Sequence, residues 1–113
     1  MDAALKRVEE LGDTPVIQEF VHGKSISIEV IGNGTSARSY ITTEVVLDRN
    51  YDCKQVLCHP GILSEEEDTR FGLCAKMTAE DMGLNGLMDM EAIDTPNGFR
   101  VLEIDARIPS QTP

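Results

Sequence analysis

The sequence predicts an α+β domain, a mainly antiparallel sheet with one long helix packed on a face. Three observations carry that expectation. Residues 25–31 alternate, with Ile26, Ile28 and Val30 on one parity and Ser25, Ser27 and Glu29 on the other. Gly32-Asn33-Gly34 then reads as a hairpin turn, because Asn-Gly adopts positive φ at little cost, and a β-branched strand returns from about Ala37 to Leu47. Ser64 followed by Glu67 is a capping-box signature, and Glu65 and Glu66 suit the positive end of a helix.

The remaining elements follow in chain order. Ala3, Ala4, Leu5, Val8 and Leu11 have helical spacing, so residues 2–11 form a short helix that Gly12 ends. After the turn Asp13-Thr14-Pro15, residues 16–21 read as a short strand stopped by His22-Gly23. Lys54–Cys58 is a further short strand closed by His59-Pro60-Gly61. The capped helix runs through Leu73 and Met77 toward Met82, and Gly83 terminates it. Two strands, Gly86–Asp94 and Phe99–Ile108, close the chain around Thr95-Pro96-Asn97-Gly98.

Composition bounds the function classes. The 113 residues suffice for one compact domain, with the apolar (41%) and charged (27%) fractions of a folded chain. Ten basic against twenty acidic residues leave a formal charge of −10, a field that repels nucleic-acid backbones and anionic membranes. No apolar run approaches the roughly 20 residues of a membrane span. The opening residues have no apolar stretch after their charges, and the cysteines (Cys53, Cys58, Cys74) are odd in number, so reduced thiols in a cytoplasmic protein are expected. Cys53, Cys58 and His59 lack the fourth ligand of a structural zinc site.

Chemistry concentrates in the last hairpin. Phe99, Val101, Glu103, Asp105 and Arg107 share one parity of its second strand, and Leu87, Asp89, Glu91 and Ile93 share one parity of its first. With a loop of three or five residues these sets fall on one face, apolar at the turn end and acidic at the open end. A solvated face of an acidic protein accounts for this pattern, and so does a hard cation held by oxygen ligands. The clean alternation and the arginine on the carboxylate face favour the cation, with Mg²⁺ the first choice and Ca²⁺ or Mn²⁺ as alternatives.

Glu103-Ile104-Asp105-Ala106-Arg107 resembles the Glu-x-Asn-x-Arg signature of ATP-grasp ligases, with Glu91 at the spacing of that family's first metal carboxylate. Gln18-Glu19-Phe20-Val21-His22-Gly23 resembles the family's adenine-receiving hinge. The string from Leu102 to Pro113 is similar to the branch that joins 3-methylornithine to the ε-amine of lysine in pyrrolysine biosynthesis. The resemblance implies ATP and Mg²⁺ as cofactors and an amide-forming reaction through an acyl phosphate. It implies that Gln18 meets the adenine edge and that the Glu19 carbonyl and Val21 amide contact the ring, while Phe20 packs in the sheet. Glu91, Glu103 and Asp105 would hold metal, and Arg107 would stabilise charge on the transferring group. Ser25 stands where many members place a ribose-binding Glu, with Glu29 as a substitute, and Lys54 is a candidate for phosphate. Asp89, Ser110 and Thr112 are candidate contacts for the amino-acid substrates, and the resemblance leaves room for a homodimer.

The similarity covers the second lobe of such a ligase (residues 16–113) and the end of the preceding lobe (1–15), with no glycine-rich phosphate loop. A part of a longer ligase, inactive by itself, is the expectation. Another ATP-grasp amino-acid or purine-pathway ligase, or an acidic interaction domain with the same fold, are the alternatives.

Overall fold

The computed structural model describes residues 2–108. In chain order these form α1 (Asp2–Leu11), β1 (Lys24–Asn33), β2 (Ala37–Leu47), β3 (Cys53–Leu57), α2 (Glu65–Asp81), β4 (Asn85–Thr95) and β5 (Gly98–Asp105). The strands make one five-stranded sheet in the order β3-β2-β1-β4-β5, every neighbouring pair antiparallel. β1 is therefore central, and α2 carries the chain across one face from the β3 edge to the far side of β1.

The alternation in β1 and β4 decides which face α2 covers. Ile26, Ile28 and Val30 of β1 and Met88, Met90 and Ala92 of β4 form a buried layer, closed from above by Phe71, Ala75 and Ala79. Phe71 is the one large side chain that the helix buries; beyond it the helix approaches on small residues. Gly72 is buried too, and a Cβ there would press on the Ser39 hydroxyl. The helix runs through Leu73 and Met77 to its C-cap Met82 as expected, but Leu73 and Met77 point outward, 53% and 54% exposed, and Met82 is exposed as well.

Both ends of α2 are closed by local chemistry. The Ser64 hydroxyl accepts from the Glu67 amide (3.3 Å) and donates to its carboxylate (2.6 Å), which also accepts from the Ser64 amide (3.1 Å). These donors hold the Glu67 carboxyl below the usual carboxylate range. At the far end Gly83 takes a φ of 64°, so that the Leu84 amide reaches the Ala79 carbonyl and the Gly83 amide reaches Glu80.

Two expectations fail. Residues 16–21 are not a strand: the stretch from Asp13 to His22 has neither helical nor strand structure, and Val16, Ile17 and Phe20 are exposed. A short apolar run becomes a strand only against a partner edge, and none lies beside it among the described residues. The β4–β5 loop also differs. Thr95 pairs with Gly98, so the loop is the two residues Pro96 and Asn97.

Replacing Ser64 by Ala should cost about 1 kcal/mol at neutral pH. The folded pKa of Glu67 is depressed, so its contribution is present above the ordinary carboxylate pKa and lost as pH falls through the folded value. The difference between denaturant melts of wild type and variant should therefore shrink in acid to what the amide–hydroxyl bond alone supplies; a constant difference down to about pH 2 would show that the box has no ionic part.

Candidate functional site

A two-residue loop by itself would set Glu103 and Asp105 on the helix face. One extra residue prevents this. The pairing runs Asp94↔Phe99, Ile93↔Arg100 and Ala92↔Val101 from the turn, shifts between Glu91 and Ala92, and resumes as Glu91↔Glu103, Met90↔Ile104 and Asp89↔Asp105. Leu102 is the unpaired residue of this β-bulge and reverses the parity of β5. Phe99, on the turn side, consequently faces the core, its ring 5.0 Å from that of Phe71. Phe99 and Val101 thus leave the expected apolar turn end of the acidic face, where Ile93 remains opposite Arg100, whereas the acidic open end is as expected.

Register then lines up two rows on the face opposite α2. One runs Thr43, Ser27, Glu91, Glu103 across β2, β1, β4 and β5, and the other runs Glu29, Asp89, Asp105 across β1, β4 and β5. Directly paired residues have Cβ atoms about 5 Å apart, so each carboxylate has another as its lateral neighbour. Asp89 is 2% exposed, Glu29, Glu91 and Asp105 are partly buried, and Glu103 is exposed. Burial pushes the Glu91 carboxyl above the ordinary carboxylate range, and the charges of Glu103, Asp89 and Asp105 add to the rise, with Arg107 opposing. Arg107 lies beside the second row and its guanidinium donates to the Asp105 carboxylate.

The donor set suits a hard cation in kind: all oxygen, anionic, partly desolvated and paired by strand register. Among the described residues no group of three His, Cys, Asp or Glu side chains is already gathered around a metal-sized point, and Arg107 engages Asp105 instead.

The other candidates are distributed around this face. Ser25 is buried on β1 opposite Ile93, on the same parity as Ser27 and Glu29. Gln18, Glu19, Phe20 and Val21 lie in the irregular stretch before β1, where Val21 alone is partly buried. Gly23 fixes the end of that stretch: a Cβ there would collide with the Asp94 carbonyl of β4. Phe20 does not pack in the sheet; it is 58% exposed, with its ring 4.7 Å from His22 and 5.6 Å from Tyr51. Lys54 is exposed at an irregularity of the edge strand β3, away from both rows. Ser110 and Thr112 lie outside the described residues. Ser27 was missed from the sequence although its parity with Glu29 marked it. It is fully buried beside Glu91, and its carbonyl accepts from the Thr43 hydroxyl (3.4 Å).

Without metal or nucleotide, Glu91→Gln should raise Tm at pH 7 by about 2 °C. A carboxyl with a raised folded pKa costs stability as pH rises through that value, so the gain should vanish below about pH 4, where both states carry the proton. An equal gain at pH 3 and pH 7 would point to packing rather than charge.

Comparison with known proteins bears on this geometry. A family model described as an ATP-grasp domain matches residues 2–111. A 3-methyl-D-ornithine–L-lysine ligase of Methanosarcina acetivorans is 43% identical over 108 residues, and one of Methanosarcina mazei is 41% identical. These matches cover 93% and 96% of this chain and 28% of each relative, so the chain spans under a third of the length of the relatives it matches. Among solved structures, the biotin carboxylase domain of a thermophilic 2-oxoglutarate carboxylase superposes with a TM-score of 0.79 at 18% identity, over 97% of this chain and 26% of that one. The biotin carboxylase domain of a single-chain bacterial carboxylase gives 0.74 at 19%, over 98% and 26%. At such identity the likeness speaks for the fold, and with the family match it leads to one conclusion: the chain belongs to the ATP-grasp family.

Proposed function

We propose that this chain is the C-terminal, nucleotide- and metal-binding lobe of an ATP-dependent carboxylate–amine ligase, residues 1–15 being the end of the preceding lobe. The ligase joins 3-methylornithine to the ε-amine of lysine. The observation that carries the reading is the pair of cross-strand carboxylate rows, with Glu91 at their centre opposite Glu103. The names of the relatives support the substrate pair. A fold neighbour, the Hydrogenobacter thermophilus 2-oxoglutarate carboxylase biotin carboxylase domain in complex with MgADP, supports the nucleotide and the metal.

In the reaction a carboxylate oxygen of 3-methylornithine attacks the γ-phosphorus of ATP, the bond from that phosphorus to the ADP oxygen breaks, and an acyl phosphate forms. The ε-amine of lysine then attacks the acyl carbon, the carbon–oxygen bond to phosphate breaks, and the nitrogen loses a proton to leave an amide. Bound Mg²⁺, held by Glu91, Glu103 and Asp105 and replaceable by Mn²⁺, would supply positive charge against the phosphates. The chain's own part is placement. Gln18–Val21 present backbone and side-chain polar groups to adenine, with Ser25 or Glu29 near the ribose and Lys54 available to an anionic group. Arg107 exchanges Asp105 for the charge that develops on the transferring phosphoryl group. Asp89, Ser110 and Thr112 are assigned to the amino-acid substrates, whose ammonium groups match the acidic face.

The complete ligase, given ATP, Mg²⁺, lysine and 3-methylornithine, should release ADP only with both amino acids and yield an amide of the summed mass less water. ADP release with a different carboxylate–amine pair would keep the fold's chemistry and remove the pathway. Glu103→Ala should weaken Mg²⁺–nucleotide binding at least about tenfold; unchanged affinity in a calorimetric titration would detach the acidic rows from the nucleotide.

A further inference from the structure

The hinge at residues 18–21 has no ladder of backbone hydrogen bonds to give it shape, since Asp13–His22 is neither helix nor strand. Its downstream end is fixed where Gly23 abuts Asp94. Upstream, α1 buries no residue. One ring reaches the hinge from a distant part of the chain: Tyr51, in the β2–β3 turn, lies 5.6 Å from Phe20 in an edge-to-face arrangement at 67°.

Tyr51 reaches that place through an unfavourable backbone. Its φ is 67°, the left-handed region that bulky side chains avoid, and it is the one non-glycine residue with positive φ among the described residues. The turn is locked around it. The Asp48 carboxylate accepts from the amides of Asn50 (2.7 Å) and Asp52 (3.1 Å), the Asp48 amide donates to the Asp52 carbonyl (2.9 Å), and the Tyr51 amide donates to the Asp48 carbonyl (3.1 Å). Glycine would fit this backbone more easily, yet would bring no ring. The contact is also not core packing, for Tyr51 and Phe20 are 66% and 58% exposed.

We propose that Tyr51 is a positioning residue for nucleotide binding: its ring, aimed by the strained turn, holds Phe20 and thereby keeps Gln18–Val21 in the shape that accepts adenine. The inference rests on the assignment of residues 18–21 to adenine. Ligand affinity scales with the fraction of molecules whose site is already in the binding shape, so loss of the ring raises the apparent Kd without touching the chemistry.

The decisive variant in the complete ligase is Tyr51→Gly, which relieves the backbone while deleting the ring. Tm should hold or rise. The Kd for ATP with Mg²⁺ and the KM for ATP should increase about three- to tenfold, with kcat within about twofold. Tyr51→Phe, which keeps the ring, should restore wild-type affinity. Phe20→Leu should weaken ATP to a similar degree, and adding Tyr51→Gly to it should cost little more, because both remove one contact. Unchanged ATP affinity in Tyr51→Gly, beside a wild type that binds ATP, overturns the positioning role and leaves the ligase reading intact. A fall in Tm without a change in Kd assigns Tyr51 to stability instead. Failure of Tyr51→Phe to rescue overturns the ring contact in favour of the hydroxyl. A wild-type ligase that binds no ATP removes the ligase reading itself, and this inference with it.

Discussion

β4 has to satisfy two surroundings of opposite kind. Its even-numbered side chains Met88, Met90 and Ala92 seal the core beneath α2, while Asp89 and Glu91 put charge into the middle of the sheet on the other side. A central strand can do both only if each neighbour repeats its parity. β1 does so by plain alternation. β5 cannot, because its two-residue turn begins the strand with Phe99 on the core side; the extra residue Leu102 brings Glu103 and Asp105 back to the charged face. The bulge thus lets one edge strand give an aromatic ring to the core at one end and carboxylates to the site at the other. Were Leu102 paired with Glu91 in an unbroken ladder, both carboxylates would turn toward α2, a burial that costs free energy without a charged partner.

The charged face is held against its own repulsion by the apolar one. Glu91 is the point of greatest strain, desolvated and facing Glu103 with Asp89 and Asp105 close by. The core residues of β1 and β4 are almost fully buried, and each side chain of that size contributes about 1.5–3 kcal/mol, which outweighs the cost of one reluctant carboxylate. Arg107 supplies local relief through Asp105, and as an exposed pair it stabilises the fold little. Its position matters more than its energy, since on the proposed reading the same guanidinium that tempers the carboxylates is the positive charge an incoming anion meets.

Much of this was legible in the residues, and the omissions have physical causes. Alternation is a local property, so the parity of β1 and β4 and the capping box at Ser64 could be read directly. Register is a property of pairs. The choice between a two- and a three-residue loop depends on whether Thr95 bonds Gly98, and no composition rule reveals a bulge at Leu102. Helix burial depends likewise on what lies beneath. Leu73 and Met77 have the right spacing for a core stripe, yet the helix face that meets the strands carries Phe71, Gly72, Ala75 and Ala79. The apolar residues at 16–21 resembled a strand because a strand and an irregular segment with exposed side chains share a composition; what separates them is a partner edge. Tyr51 carried no sequence signal, its left-handed backbone being imposed by the Asp48 turn.

The charge of the whole chain bears on the site in a way that its local geometry does not. A surplus of ten negative charges repels a polyphosphate as surely as it repels nucleic acid, and the acidic rows sharpen that repulsion where the phosphates would have to lie. Salt screens the distant part of this field within about 8 Å at physiological ionic strength but leaves the contact between carboxylate and phosphate nearly untouched. On the proposed reading, a bare nucleotide is the wrong ligand for this face and a nucleotide already complexed to a divalent cation is the right one. The proposed amino-acid substrates, each carrying a second ammonium group, match that acidity. Under that same assignment the carboxylates of β4 and β5 act as a filter for charge state, one that makes nucleotide binding conditional on the cation that accompanies it.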